Sequence, residues 1–302
     1  MKMTTAAKAP AASRGRSRED RARSFRRFFR TMFSRKIVIV GFVGTLFFVL
    51  VALFAPIIAQ QDPNALTMDG RLQPASAKHW FGTDYIGRDL FARVVYGTRV
   101  SLLTGVISVL LSAFIGVFLG MCAAYFGGIV DKLLLGFCET FNAIPGIALC
   151  LTLVSLFGGG LWNMALILCI TGIPGFLRMM RASSLSIMNS DYILAERLAG
   201  QSKLKIMYSH ILPNAISPII VMSTQMIGAT VMMESGLSFL GVGISIPMAS
   251  WGSIISEARP FLLLSPGYVM IPCVCLALLI ISLNLLGDGI RDALDPALRG
   301  ES

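Results

Sequence analysis

At 302 residues, 55% hydrophobic and 14% charged, with mean hydropathy +0.74, the chain is too apolar for a soluble domain, where about 25% of residues carry charge. The composition excludes disorder, which needs low hydrophobicity, and the 29 Gly and 13 Pro show no period of three that would mark a collagen-like rod. The net charge of +10 is local: residues 1–36 hold twelve Lys/Arg against Glu19 and Asp20, so the excess marks membrane topology rather than a nucleic-acid surface.

Residues 1–20, rich in Ala, Ser and Arg, have the composition of a disordered tail. Over 21–36, Phe25, Phe28, Phe29, Met32 and Phe33 recur at i, i+3, i+4, i+7 and i+8. This stripe predicts a cytoplasmic helix lying on an anionic leaflet; the alternative is a basic tail that only sets orientation. The uncharged run Ile37–Ala59 exceeds the ~7–15 residues of a cleavable signal core and reads as a retained anchor. Residues 60–96 form a polar extracytoplasmic segment, and 97–288 form a transmembrane domain with spans near 100–124, 132–157, 161–180, 215–235 and 268–286. Residues 289–302 are a short tail. The predicted fold is all-α and polytopic, with six transmembrane helices. With the N-terminus inside, twenty of the 26 Lys/Arg lie on the cytoplasmic side, which puts both termini there.

No phosphate-binding loop, nucleophile elbow, zincin motif or dinucleotide fingerprint occurs. No catalytic residue is therefore expected, and ATP-driven work would need a nucleotide on another chain. His79 and His210 lie in separate segments and the six cysteines in apolar stretches, so no metal set is read. Glu139 and Glu234 are scarce ionisable groups for a proton- or sodium-coupled carrier. An ATPase-independent carrier or channel is the alternative, whereas a membrane enzyme lacks an acid/base set. Glu139 and Asn142, three apart, share a helix face that lines a path, meets a subunit or fixes packing. Gln225, Asn163 and Asn284 carry the same ambiguity. Glu234 is a path residue or a solvated carboxylate at the interface. Gly116 and Gly120 suit close helix packing.

The inner loop NSDYILAERLAGQSKLKIMYSHILPN predicts a short helix capped by Asn189 or Ser190, with Asp191 in its first turn and Gly200 at its end. Such a helix is marginal alone and needs a packing partner, with Leu194 and Leu198 as its apolar contact. The outer loop over 236–267 carries Pro247 and Trp251, which read as a docking surface or an interfacial anchor. GTDYIGRD predicts a turn into a helix whose Leu90, Phe91, Val94 and Val95 side packs on a partner.

These segments resemble a known family. The inner loop is similar to the E-A-A-x-x-x-G segment of ABC-transporter membrane subunits, with Ala195 and Gly200 in register. Leu194 stands where that motif has Glu, and Glu196 replaces its second Ala. HWFGTDYIGRDLFARVVYGTRVSLLTG (79–105), YFGGIVDKLLLGFCETFNAIP (125–145), LSFLGVGISIPMASWG (237–252) and NLLGDGIRDALDPALR (284–299) resemble the C-type permeases of dipeptide, oligopeptide and nickel importers. The resemblance implies a type I ABC importer transmembrane domain in a bacterial inner membrane. It also implies a related second permease, two ATPase subunits carrying ATP and Mg, and an extracytoplasmic solute-binding protein. Asp191, Leu194, Ala195, Glu196, Leu198 and Gly200 would then couple to the ATPase. Glu139, Asn142, Gln225 and Glu234 are candidates for the path, and Pro247 and Trp251 for docking of the binding protein.

Overall fold

The computed structural model describes residues 32, 33, 35–66, 70–244 and 247–294. The expected tail 1–20, most of the surface helix over 21–36, and residues 295–302 lie outside the described residues. Among the described residues the regular structure is helical, apart from isolated bridges joining Leu66 to Arg88 and Thr83 to Asp89.

Helix α1 (Lys36–Leu53) stops before Pro56, which takes the first turn of a separate short helix, α2 (Ala55–Ile58). A proline there sacrifices no helical N–H. The predicted anchor over 37–59 is thus a helix followed by a separate turn. Gly41 and Gly44 bring α1 onto Ser282 and Leu285 of the last helix, and a Cβ on Gly41 would lie 2.6 Å from that of Leu285. Val40, Val43 and Phe47 stay exposed on the other side, a surface suited to lipid.

Helix α3 (Leu90–Phe126) starts ten residues before the predicted span, because the Asp89 carboxylate caps it by accepting the Ala92 N–H at 2.7 Å. The predicted span over 132–157 is broken into α4 (Gly128–Ala143) and α5 (Gly146–Phe157), bent by 93°. Pro145 forces this. It withholds an N–H and disfavours helical geometry at the preceding residue, and Ile144 is extended at φ −97° and ψ 130°. Helices α6 (Leu161–Met188), α7 (Asp191–Leu198) and α8 (Lys203–Ile206) follow. A π turn (Met207–Ile211) joins α8 to α9 (Leu212–Phe239), and α10 (Trp251–Ala258) and α11 (Pro266–Leu294) end the described chain. Five stretches (α1, α3, α6, Lys203–Phe239 and α11) are long and apolar enough to cross a membrane, and the bent α4–α5 pair counts as a sixth. Residues 289–294, expected in a tail, still belong to α11. Successive crossings put α7 and the start of α1 on one face, and α10, residues 70–89 and residues 240–244 on the other.

The bundle is built around the α3–α6 contact. Ser108, Ser112, Gly116 and Gly120 recur every four residues and form one stripe on α3. Ser108 Oγ lies 3.0 Å from Ala165 O, and Ser112 Oγ lies 2.8 Å from Cys169 O. A Cβ on Gly116 would fall 2.5 Å from Phe176 Cβ, and one on Gly120 the same distance from Leu177 O. Backbone cannot step aside as a side-chain tip can. Gly120→Leu is therefore expected to destabilise the bundle by about 1–3 kcal/mol through overpacking, read as a lower thermal midpoint in detergent. Gly136→Leu, where a Cβ meets nothing within 4 Å, should leave the midpoint in place. Equal midpoints for the two variants would contradict this packing.

Candidate functional site

Helix α7 stands on the α7 face as a tethered unit. Ser190 sits at its N-cap with extended backbone, yet the hydroxyl donates to Ile187 O at 2.6 Å and closes the preceding helix instead. Asp191 occupies the first turn, where negative charge suits the helix dipole. At the other end Gly200 N donates to Arg197 O at 3.1 Å and Gln201 N to Glu196 O at 3.2 Å. This double closure is a Schellman motif, and Gly200 holds φ +73° as the motif requires.

The apolar contact differs from the expected one. Ile193 is fully buried in a cluster with Phe176, Met180, Ile206, Met207 and Ile211, whereas Leu194 is 57% and Leu198 83% exposed. One residue of helix rotates a side chain by about 100°, so rooting Ile193 in the bundle turns Leu194 and Leu198 away from it. Three polar ties fix α7 to its neighbours, and a fourth fixes the adjoining α8. The Arg197 guanidinium lies 5.0 Å from the Tyr125 ring and Lys203 Nζ lies 5.4 Å from the Phe126 ring, at the end of α3. His210 Nε2 is 3.8 Å from Glu196 Oε1, and Asn214 Nδ2 donates to Tyr192 OH at 3.4 Å. Through these contacts α7 touches both the end of α3 and the root of α9.

The opposite face holds a buried ion cluster that local sequence reading missed. Asp84 Oδ1 accepts the Ile86 and Arg88 N–H groups at 3.0 and 2.8 Å, which makes GTDYIGRD the expected turn. Its Oδ2 accepts Arg88 Nε at 2.5 Å. Arg88 Nη2 then donates to Glu257 Oε2 at 2.5 Å, and Arg93 Nη2 lies 3.1 Å from both Glu257 oxygens. Burial draws the Arg88 pKa down, but the Asp84 hydrogen bond and the Glu257 and Asp84 charges outweigh it and hold the pKa above the ordinary value. Beside this cluster His79 Nδ1 lies 2.7 Å from Asp89 Oδ2. The arrangement locks α10 onto the start of α3.

The remaining predicted residues do not form one set. The Trp251 side chain is not on the surface: it is fully buried, its Nε1 donates to Val94 O at 3.1 Å, and its ring meets Phe48 edge-on at 5.7 Å. Leu90 and Val94 share that core, so this side of the α3 start packs on its own chain rather than on a partner. Pro247 is exposed. Glu234 is neither solvated nor open to a path in this conformation, being fully buried among serine hydroxyls. Glu139 and Asn142 are exposed on α4 just before the break, with Asn142 Nδ2 donating to Cys138 O at 2.8 Å. Gln225 Nε2 lies 3.3 Å from Asp288 Oδ1.

The helical bundle, with up to six crossings, thus displays a short tethered helix on one face and a locked cap on the other. Residues 112–300 match the family described as the binding-protein-dependent transport system inner membrane component, and residues 24–75 match the N-terminal TM domain of oligopeptide transport permease C. The chain belongs to this family and is a multi-pass inner-membrane permease subunit of an ABC importer. It is 36% identical over 275 residues to the dipeptide transport system permease protein DppC of Alkalihalophilus pseudofirmus, covering 91% of this chain and 90% of that protein. It is also 35% identical over 276 residues to the glutathione transport system permease protein GsiD of Pectobacterium atrosepticum, covering 91% of this chain and 92% of that protein. These relatives are permeases, not enzymes. Two structures of the MetNI methionine ABC transporter in inward-facing conformations share the fold at TM-scores of 0.53 and 0.55 and 19% identity. They cover 67% and 68% of this chain and 97% and 98% of theirs.

Proposed function

We propose that this chain forms half of the membrane pathway of an importer for short peptides, and that α7 takes up the stroke of an ATPase subunit. The observation that carries this reading is the split of α7 between a buried root at Ile193 and an outward pair, Leu194 and Leu198. Exposed leucines on a helix held at both ends suit insertion into a partner's cleft, and the motor's closure would then move the bundle. The α7 face is cytoplasmic in this reading, in agreement with the positive charge of the N-terminal tail. ATP and Mg are carried by two ATPase subunits. A related second permease covers the exposed side of α4, where Glu139 and Asn142 would line the path. A solute-binding protein delivers cargo to the α10 face, where Pro247 and Met248 are exposed. Peptide cargo is favoured over a nickel complex by the dipeptide and glutathione transporters among the relatives.

The test is Leu198→Asp in the reconstituted importer. Retention of the ATPase subunits on purification should fall by at least about tenfold, as for removal of an interface anchor, with the thermal midpoint of the permease unchanged. Full ATPase retention would overturn the role of α7. Uptake of peptide by the purified chain alone would overturn the ATP-driven reading and favour a carrier.

A further inference from the structure

The sealed carboxylate of Glu234 is unexplained by a transport path. It lies on α9 near the α10 face, and three hydroxyls converge on it. Ser238 Oγ donates to Oε1 at 2.7 Å, and Ser101 Oγ and Ser235 Oγ donate to Oε2 at 3.1 and 3.4 Å. Two of these hydroxyls have a second role. Ser238 Oγ accepts the Ile244 N–H at 3.1 Å, and Ser101 Oγ accepts the Trp251 N–H at 3.4 Å. Ile244 and Trp251 are the two ends of the strap that carries Pro247 and Met248. One carboxylate therefore orients the acceptors for both ends of a single loop. It does so from α9 and, through Ser101, from α3.

The backbone agrees. A Cβ on Gly252 would fall 2.5 Å from Ser235 O, and one on Gly243 would fall 2.5 Å from Ser238 Cα. Both ends of the strap thus lie flat against the α9 turn that bears Glu234, closer than any side chain would allow. The first end also forms a wall of a cavity of about 440 Å³, lined among others by Ser155, Ser256 and Glu257. A buried carboxylate is costly, and here two of the hydroxyls that satisfy it from α3 and α9 also accept the amides at the two ends of the strap.

We infer that Glu234 is a positioning residue that clasps Ile244 and Trp251, the two ends of the strap, and so holds the exposed Pro247 and Met248 in place to receive the loaded solute-binding protein. The receiving partner rests on the proposed function; the clasp does not. Hydroxyls that donate to the carboxylate must present their lone pairs to the Ile244 and Trp251 amides, so losing the carboxylate frees both rotors at once.

Amide hydrogen exchange and uptake kinetics in the assembled importer test this. In Glu234→Ala, the Ile244 and Trp251 amides should exchange about tenfold faster or more, and the apparent KM for the loaded binding protein should rise about tenfold with kcat changed far less. Glu234→Gln, which keeps one acceptor oxygen, should recover part of both. Ser238→Ala should speed exchange at Ile244 alone and Ser101→Ala at Trp251 alone, a split that general loss of stability does not produce. Unchanged exchange in Glu234→Ala, or uniform acceleration in all four variants, would overturn the clasp. Faster exchange with an unchanged KM would overturn the positioning role. Uptake that needs no binding protein in the unmodified importer would instead remove the partner reading and leave the exchange results standing.

Discussion

Gly200→Val is expected to separate ATP hydrolysis from transport, with peptide uptake falling about tenfold or more while the complex still assembles. The position has open space around it, since a Cβ there meets nothing within 4 Å; the obstacle is the backbone. At φ +73° an L-residue costs about 1–2 kcal/mol, and a β-branched one is worse placed still. That cost falls on the two bonds from Gly200 and Gln201 that close the end of α7. With them lost, α7 frays and the path from Leu198 to Lys203 and the π turn slackens. The buried root at Ile193 is untouched, which is why assembly should persist. Gly200→Asn, which tolerates this backbone region, should retain most uptake. Uptake and ATPase rates in proteoliposomes decide it: normal uptake with valine would show that the end of α7 transmits no stroke.

Arg93→Ala should act on folding rather than on coupling. The guanidinium is fully buried and shares Glu257 with Arg88, so its removal leaves two carboxylates facing one cation out of water. Breaking such a set costs about 3–5 kcal/mol, enough to lower the thermal midpoint sharply and to reduce the yield of folded protein. Glu257→Gln should be damaging for the opposite reason, leaving two cations on Asp84. Arg93→Ala combined with Glu257→Gln restores a neutral Arg88–Asp84 pair, and its loss should be smaller than the sum of the single losses. Additive losses would show that the four groups do not work as a set.

What could be read from the sequence was whatever is written locally. The apolar runs marked the spans, the glycine after α7 marked a helix end, and Gly116 and Gly120 marked a site of close helix packing without naming its partner. Helix α7 was legible for the same reason, since its first-turn Asp191 and its terminal Gly200 lie within a dozen residues. The missed features depend on distance along the chain. Glu257 meets Arg88 and Arg93 after separations of 169 and 164 residues, and no local pattern separates such a carboxylate from a solvated one. Trp251 and Glu234 were misread because an aromatic and an acid near a predicted membrane boundary have interfacial roles by default. Their burial follows from the outer segment folding back over the bundle, which the polarity of that segment conceals. Leu194 and Leu198 were seen as an apolar pair, but which side of the helix would be rooted depended on Ile193, part of the same short run.

The kink at Ile144–Pro145 has a consequence for the state in which this chain can exist. Between α4 and α5 the helical ladder is interrupted between two apolar helices, and the segment from Ala143 to Ala148 is exposed. Hydrocarbon offers peptide groups nothing to bond to, so unladdered backbone persists there only under a protein cover or beside water. The lone polypeptide surrounded by lipid is thus an incomplete object, and its midsection becomes solvable only when a neighbour or an aqueous lumen lies against that elbow.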